Sequence, residues 1–286
     1  MSETSKPHSK PLAKPISKPE AEGDEVEASR APLLDHLKEL RRRLIWAVAS
    51  ILVGFIICFI FAEQIYNFLL VPFENAAARV RTGDLQLELI YTAPLEFFFV
   101  KVKLALFGGI ILAFPMIVFQ LYAFVAPGLY RNERGAFAPF LVAAPVLFAA
   151  GASFVYYFVL PFVMRFALNQ EQTGGDGVAT IQLLTRVSDY LNLVTTMILA
   201  FGISFQLPVL LMLLAKAGIV RAKQLIGFWK YALVGIFAFA AFVTPPDPIS
   251  QIILGSALMG LYGLSIWGVM LVQRKPEEES EDTGKA

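Results

Sequence analysis

Six long apolar stretches, none of them holding a charged residue, constrain this chain more than any other feature of its sequence. They cover 44–62, 104–130, 135–164, 190–215, 231–246 and 248–273. A water-soluble core has no use for that much uninterrupted hydrocarbon. The sequence therefore predicts an all-α membrane protein with six transmembrane helices in a curved bundle. A spanning helix needs roughly 20 apolar residues at 1.5 Å of rise each, and the first four stretches and the last reach that length. The fifth does not. Its helical core, the short uncharged run 231–243, crosses only if 225–229 extends it, with Lys230 snorkelling to the headgroups. A thin or shallow pair of last spans is expected, joined by the tight turn Thr244-Pro245-Pro246-Asp247-Pro248.

With 57% of its residues hydrophobic and only 16% charged, the chain carries partner information in the placement of its charges, because a net charge of +1 carries none. Lys38, Arg41, Arg42 and Arg43 precede the first span, and Arg131 and Arg134 follow the second. Lys216, Arg221, Lys223 and Lys230 separate the fourth from the fifth, and Arg274 and Lys275 follow the sixth. The alternate loops are poorer in bases, so the positive-inside bias puts both termini in the cytoplasm. Lys101 and Lys103, at the outer entrance of the second span, are exceptions that snorkel outward.

Residues 31–275 read as one helical membrane domain. The polar tracts 1–30 and 276–286 read as disordered tails, and 1–30 has no apolar region of the kind a cleavable signal needs. From Pro32, leucines at 33, 37, 40 and 44 recur at helical spacing. They predict an amphipathic interfacial helix before the first span. The first outer loop starts with a helix-like apolar run at 65–73. Pro115, Pro139, Pro145, Pro161 and Pro208 each remove a backbone donor and bend their helices. Gly108-Gly109, inside the second span, reads as close helix packing.

Several chemistries are excluded or weakened. The two histidines, His8 and His36, lie outside the spans, and no acid or base sits deep within any span. An ion-coupled carrier normally keeps an ionisable side chain there, and an intramembrane protease needs a base or metal ligands. The single cysteine, Cys58, supports neither a disulfide framework nor a thiolate metal site. No catalytic residue, no metal and no cofactor is expected, and no nucleic acid partner.

What remains is two basic segments, each with one acid. HLKELRRRL at 36–44 contains Glu39, and FVAPGLYRNER at 124–134 contains Glu133. On spacing alone, Glu39 pairs with Arg43 at i,i+4, Glu133 pairs with a neighbouring arginine, and the bases only set topology.

These two runs, with FGISFQLPV at 201–209 and TPPDPISQ at 244–251, resemble the TatC family, the multispan receptor of the twin-arginine protein translocase. The likeness is colinear over about 33–273. It implies a receptor and core subunit in the bacterial inner membrane that exports folded proteins driven by the proton motive force. The implied partners are twin-arginine signal peptides, the single-span subunits TatA and TatB, further copies of the chain, and lipid. The resemblance places Glu39, Arg41, Phe124 and Glu133 in the signal-peptide site. Carboxylates at the interface suit two incoming guanidiniums, because charge-assisted bidentate pairs are favoured there. It also places Thr244 and Gln251 on a polar patch where a partner helix docks, although the prolines alone would make a rigid turn. Many relatives carry glutamate where this chain has Gln206. An amide cannot titrate, so that position either faces a cavity or bonds between helices. The alternative function, a secondary transporter of a small solute, predicts internal repeats and a charged or broken-helix site near the midplane.

Overall fold

The computed structural model describes residues 21–80, 89–125, 138–171, 183–243 and 248–282. Ten α-helices and one two-stranded ladder are found among them. In chain order these are α1 (Ala21–Ile60), α2 (Ala62–Val80), β1 (Leu89–Ile90), α3 (Glu96–Val125), α4 (Ala138–Phe154), α5 (Leu160–Leu168), β2 (Thr185–Arg186), α6 (Val187–Ser204), α7 (Leu207–Lys216), α8 (Ala222–Gly227), α9 (Trp229–Val243) and α10 (Pro248–Asp282). A π-helical turn, Val155–Val159, joins α4 to α5.

The chain divides into two units, Met1–Arg42 and Arg43–Ala286. In the first, the described residues are helical from Ala21 onward. The segments 21–30 and 276–282, whose composition reads as tail, are helical. The expected lead-in is likewise helical.

Five stretches among the described residues are long and apolar enough to cross a membrane: His36–Ile60, Glu96–Phe124, Pro139–Leu168, Val187–Lys216 and Gln251–Gln273. Trp229–Val243 is apolar but shorter. Large side chains stand outward along them, Ile60 at 71% and Phe242 at 90% exposure. Water would penalise such surfaces, whereas hydrocarbon accommodates them.

Glycines set the closest helix approach. A Cβ on Gly54 of α1 would stand 2.8 Å from the Gly109 carbonyl oxygen of α3, and one on Gly109 would stand 2.7 Å from the Phe55 nitrogen. The backbones touch, as the small-residue reading of Gly108-Gly109 expects. Gly108 lies against Cys58 in the same way.

The helix α2 is fastened by tyrosines. Pro72 has no N–H, so the Phe68 carbonyl loses its intrahelical donor. The Tyr156 hydroxyl, on the π turn, donates to that carbonyl at 2.7 Å, and its ring stacks on Phe68 at 4.5 Å. Tyr190 of α6 donates to the next carbonyl, Leu69, at 2.7 Å and stacks on Phe73 at 5.0 Å. Pro161 lies just beyond the π turn, which belongs with the known causes of helix irregularity.

Two apolar clusters form the core of the second unit. One gathers α2, α3, the π turn, α5 and α6 around Tyr190, Leu104, Leu160 and Phe201, with Ala240 and Leu254 added from α9 and α10. The other joins α7, α8 and the later part of α10 through Ala215, Leu225, Tyr262 and Val269. The α7 end carries Gly218 at φ 73°, a conformation that favours glycine. Ile219 N–H donates to Leu214 and Gly218 N–H to Ala215, completing a Schellman stop.

Candidate functional site

The first candidate segment lies on α1. Glu39 is half-buried there, Arg41 and Arg42 are exposed, and Arg43 is half-buried. Neither Glu39 nor Arg43 is without a partner. Phe124, near the end of α3, is half-buried and also engaged. Glu133, with the rest of its motif from Ala126 to Arg134, lies outside the described residues. Thr244 lies outside them too.

The second candidate segment is fixed at Gln251 on α10, whose amide donates to the Phe237 carbonyl of α9 at 3.2 Å. One turn along, Gly255 lets the Phe237 ring approach to 2.8 Å of where a Cβ would stand. The polar side chain and the glycine together fix the α9–α10 pairing at one place. A polar group inside an apolar helix is best satisfied by a neighbour, which is what Gln251 finds.

Gln206 occupies the break between α6 and α7. The break begins because Pro208 at the start of α7 has no N–H to continue the ladder. The Gln206 backbone N–H tightens onto Ile203 at 2.9 Å, leaving the Gly202 carbonyl without its usual i+4 donor. The Gln206 amide supplies the substitute at 3.2 Å and donates across to Ala144 of α4 at 3.1 Å. Of the two readings of this position, the structure shows the interhelical bond.

Three features escaped the sequence reading. Glu96, first residue of α3, accepts from the backbone of Thr92 at 2.7 Å and of Ala93 at 3.3 Å, as a capping-box glutamate does. Its other oxygen accepts from Ser188 Oγ at the start of α6 at 2.5 Å. Beside this tie, β1 pairs in parallel with β2, Leu89 opposite Thr185 and Ile90 opposite Arg186. The acid three residues after Ala93 was a visible capping signal, whereas the Ser188 partner and a two-residue ladder leave no periodic trace. The third feature is Gln273, which accepts from Ala222 N–H at 3.2 Å and donates to Val220 at 3.1 Å, clamping the α7–α8 linker to α10. Tyr262 adds a bond to the Leu225 carbonyl at 2.8 Å.

No group of three or more His, Cys, Asp or Glu among the described residues is placed to hold a metal ion. The polar contacts described above tie one helix or linker of the chain to another.

The family model described as Sec-independent protein translocase protein (TatC) matches residues 35–256. The chain belongs to the TatC family. A TatC from Magnetococcus marinus is 42% identical over 250 residues, covering 87% of this chain and 88% of that one. TatC of Helicobacter pylori strain J99 is 38% identical over 250 residues, 87% of this chain and 93% of the relative. TatC of Aquifex aeolicus is 36% identical over 251 residues, 86% and 98% respectively. A crystal structure of the twin-arginine translocase receptor TatC superposes with a TM-score of 0.71 at 35% identity, covering 83% of this chain and 99% of that chain. A second, in DDM, gives 0.70 at 36% identity, 81% and 98%. As a TatC, this chain is a subunit of a Sec-independent protein translocase, a transport component and multi-pass protein of the bacterial inner membrane.

Proposed function

We propose that this TatC is the receptor that binds twin-arginine signal peptides at the cytoplasmic face and gathers single-span partner subunits for export of folded proteins, driven by the proton motive force. The observation that carries the reading is the likeness, over 83% of the chain, to a solved twin-arginine translocase receptor. Glu39 and Glu133, each among bases, receive the two arginines of the signal, with Arg41 and Phe124 in the same segments. Burying guanidiniums against carboxylates at a low-dielectric interface favours bidentate pairing. Thr244 and Gln251 form the partner-docking patch, and several copies assemble per complex.

The same proposal has six spans with both termini in the cytoplasm, a membrane domain over 31–275, and tails on either side of it. Support for the additional crossing comes from the α8–α9 junction. Phe228 N–H bonds Gln224 at 2.9 Å and Ala232 N–H bonds Phe228 at 3.0 Å, so Phe228 closes α8 and opens α9, and one helix follows the other directly. At helical rise the residues from Ala222 to Val243, α8 and α9 together, supply ~33 Å against ~30 Å of hydrocarbon. Lys230, the second residue of α9, is exposed and reaches the headgroups by snorkelling.

Site-specific crosslinking tests the site. A photoreactive signal peptide crosslinks to the 124–134 segment in native membranes, and Glu133→Lys abolishes the adduct. Undiminished crosslinking in that variant removes Glu133 from the site.

A further inference from the structure

Two lysines break the charge pattern of the spans, and the structure treats them differently. Lys101 has its ammonium 3.8 Å from Glu63 of α2 and 5.0 Å above the Phe97 ring. Lys103, two residues on, lies ~200° round the helix and is exposed. Among the described residues no carboxylate lies within ion-pair distance of it.

Lys103 instead lines an open cavity of about 280 Å³ between the outer ends of α3 and α6, walled by Leu95, Phe99 and Val100 and backed by Glu96 and Ser188. Glu96 is already engaged by donors from Thr92, Ala93 and Ser188. Among the described residues the cavity thus offers one cation with no carboxylate at ion-pair distance, set in largely apolar walls beside the engaged Glu96.

Its level along α3 identifies what fits. The candidate span Glu96–Phe124 has 29 residues, ~43 Å of helix against ~30 Å of hydrocarbon. The uncharged run starts at Leu104, so Lys103 stands where the apolar stretch ends, at the depth of headgroup phosphates. Leu106, one turn further into the span, is 48% exposed, and Phe99, one turn outward, is 58% exposed. Apolar surface therefore flanks the ammonium on both sides.

We propose that Lys103 and its cavity bind the phosphodiester of an outer-leaflet phospholipid, with an acyl chain along Leu106 and the headgroup in the cleft between Phe99 and Ser188. The ion pair supplies a counter-ion that no described residue gives Lys103, and the apolar walls give a lipid an advantage that inorganic phosphate does not share. The choice of leaflet rests on the proposed topology; the binding itself does not.

The test titrates palmitoyl-oleoyl phosphatidylglycerol onto the full-length protein in detergent and follows bound lipid by native mass spectrometry. Lys103→Gln weakens the highest-affinity lipid about fivefold, the loss expected for one base at the headgroup level, while Lys103→Arg and Lys101→Gln bind as the parent does. Inorganic phosphate at the same concentrations fails to displace the lipid. Equal lipid affinity in Lys103→Gln overturns the proposal, as does an equal loss in Lys101→Gln. Displacement by inorganic phosphate makes this a general anion site and also overturns it. No signal peptide enters the assay, so its failure leaves the receptor reading intact, and failure of crosslinking at Glu133 leaves the lipid site intact.

Discussion

At the scale of single residues, prolines create unpaired carbonyls and specific side chains answer them. Pro72 frees the carbonyl of Phe68, and Tyr156 donates to it from another helix. Pro208 belongs to a break whose Gly202 carbonyl is taken by the Gln206 amide. Leaving a buried acceptor unsatisfied costs about 1–3 kcal/mol, so these bonds hold the irregularities in place. Tyr156→Phe keeps the ring stacking on Phe68 and removes only the hydroxyl. It lowers stability by about 1–2 kcal/mol and speeds tryptic cleavage at Arg79, at the end of α2. Unchanged cleavage and an unchanged melting temperature in detergent would show that the hydroxyl does not hold α2. As residues both prolines were visible in the sequence, although only Pro208 was read as a bend. Their partners were not, because Tyr156 and Phe68 stand 88 positions apart and nothing local marks the pair.

At the scale of elements, the apolar stretches were legible because a membrane helix must satisfy its backbone internally and face hydrocarbon, which leaves a long uncharged signature. Gly108-Gly109 was legible for a related reason, since a glycine pair in such a helix has little use except contact. The helix-like run at 65–73 was visible, but α2 extends from Ala62 to Val80, its later turns held by buried Phe73, Ala76 and Ala77. That extension reflects tertiary burial, which a sequence window does not contain. The α1–α3 contact gives the element-scale prediction. Gly109→Val places a branched side chain where even a Cβ meets the Phe55 nitrogen at 2.7 Å, forcing the helices apart at a cost of about 1–3 kcal/mol. Lower yield and a lower melting temperature are expected, whereas Gly235→Val, with open space around its Cβ position, leaves both unchanged. Equal behaviour of the two variants would contradict a backbone contact at Gly109.

At the scale of the whole molecule, function rests on which side of the membrane each segment faces. The base-rich segments 38–43, 131–134, 216–230 and 274–275 alternate with base-poor ones, and that bias was readable before any coordinates. The recognition site proposed above was only partly readable. Its acids were visible as lone carboxylates among bases, but their service to one ligand depends on their sharing a face, which spacing along the chain does not determine. Substituted-cysteine labelling measures this directly. Leu37→Cys and Asn132→Cys, each in a Cys58→Ala background, are treated with a membrane-impermeant maleimide in right-side-out and inverted vesicles. The receptor account predicts that both are labelled in inverted vesicles and protected in right-side-out ones; labelling of the two on opposite sides would contradict it.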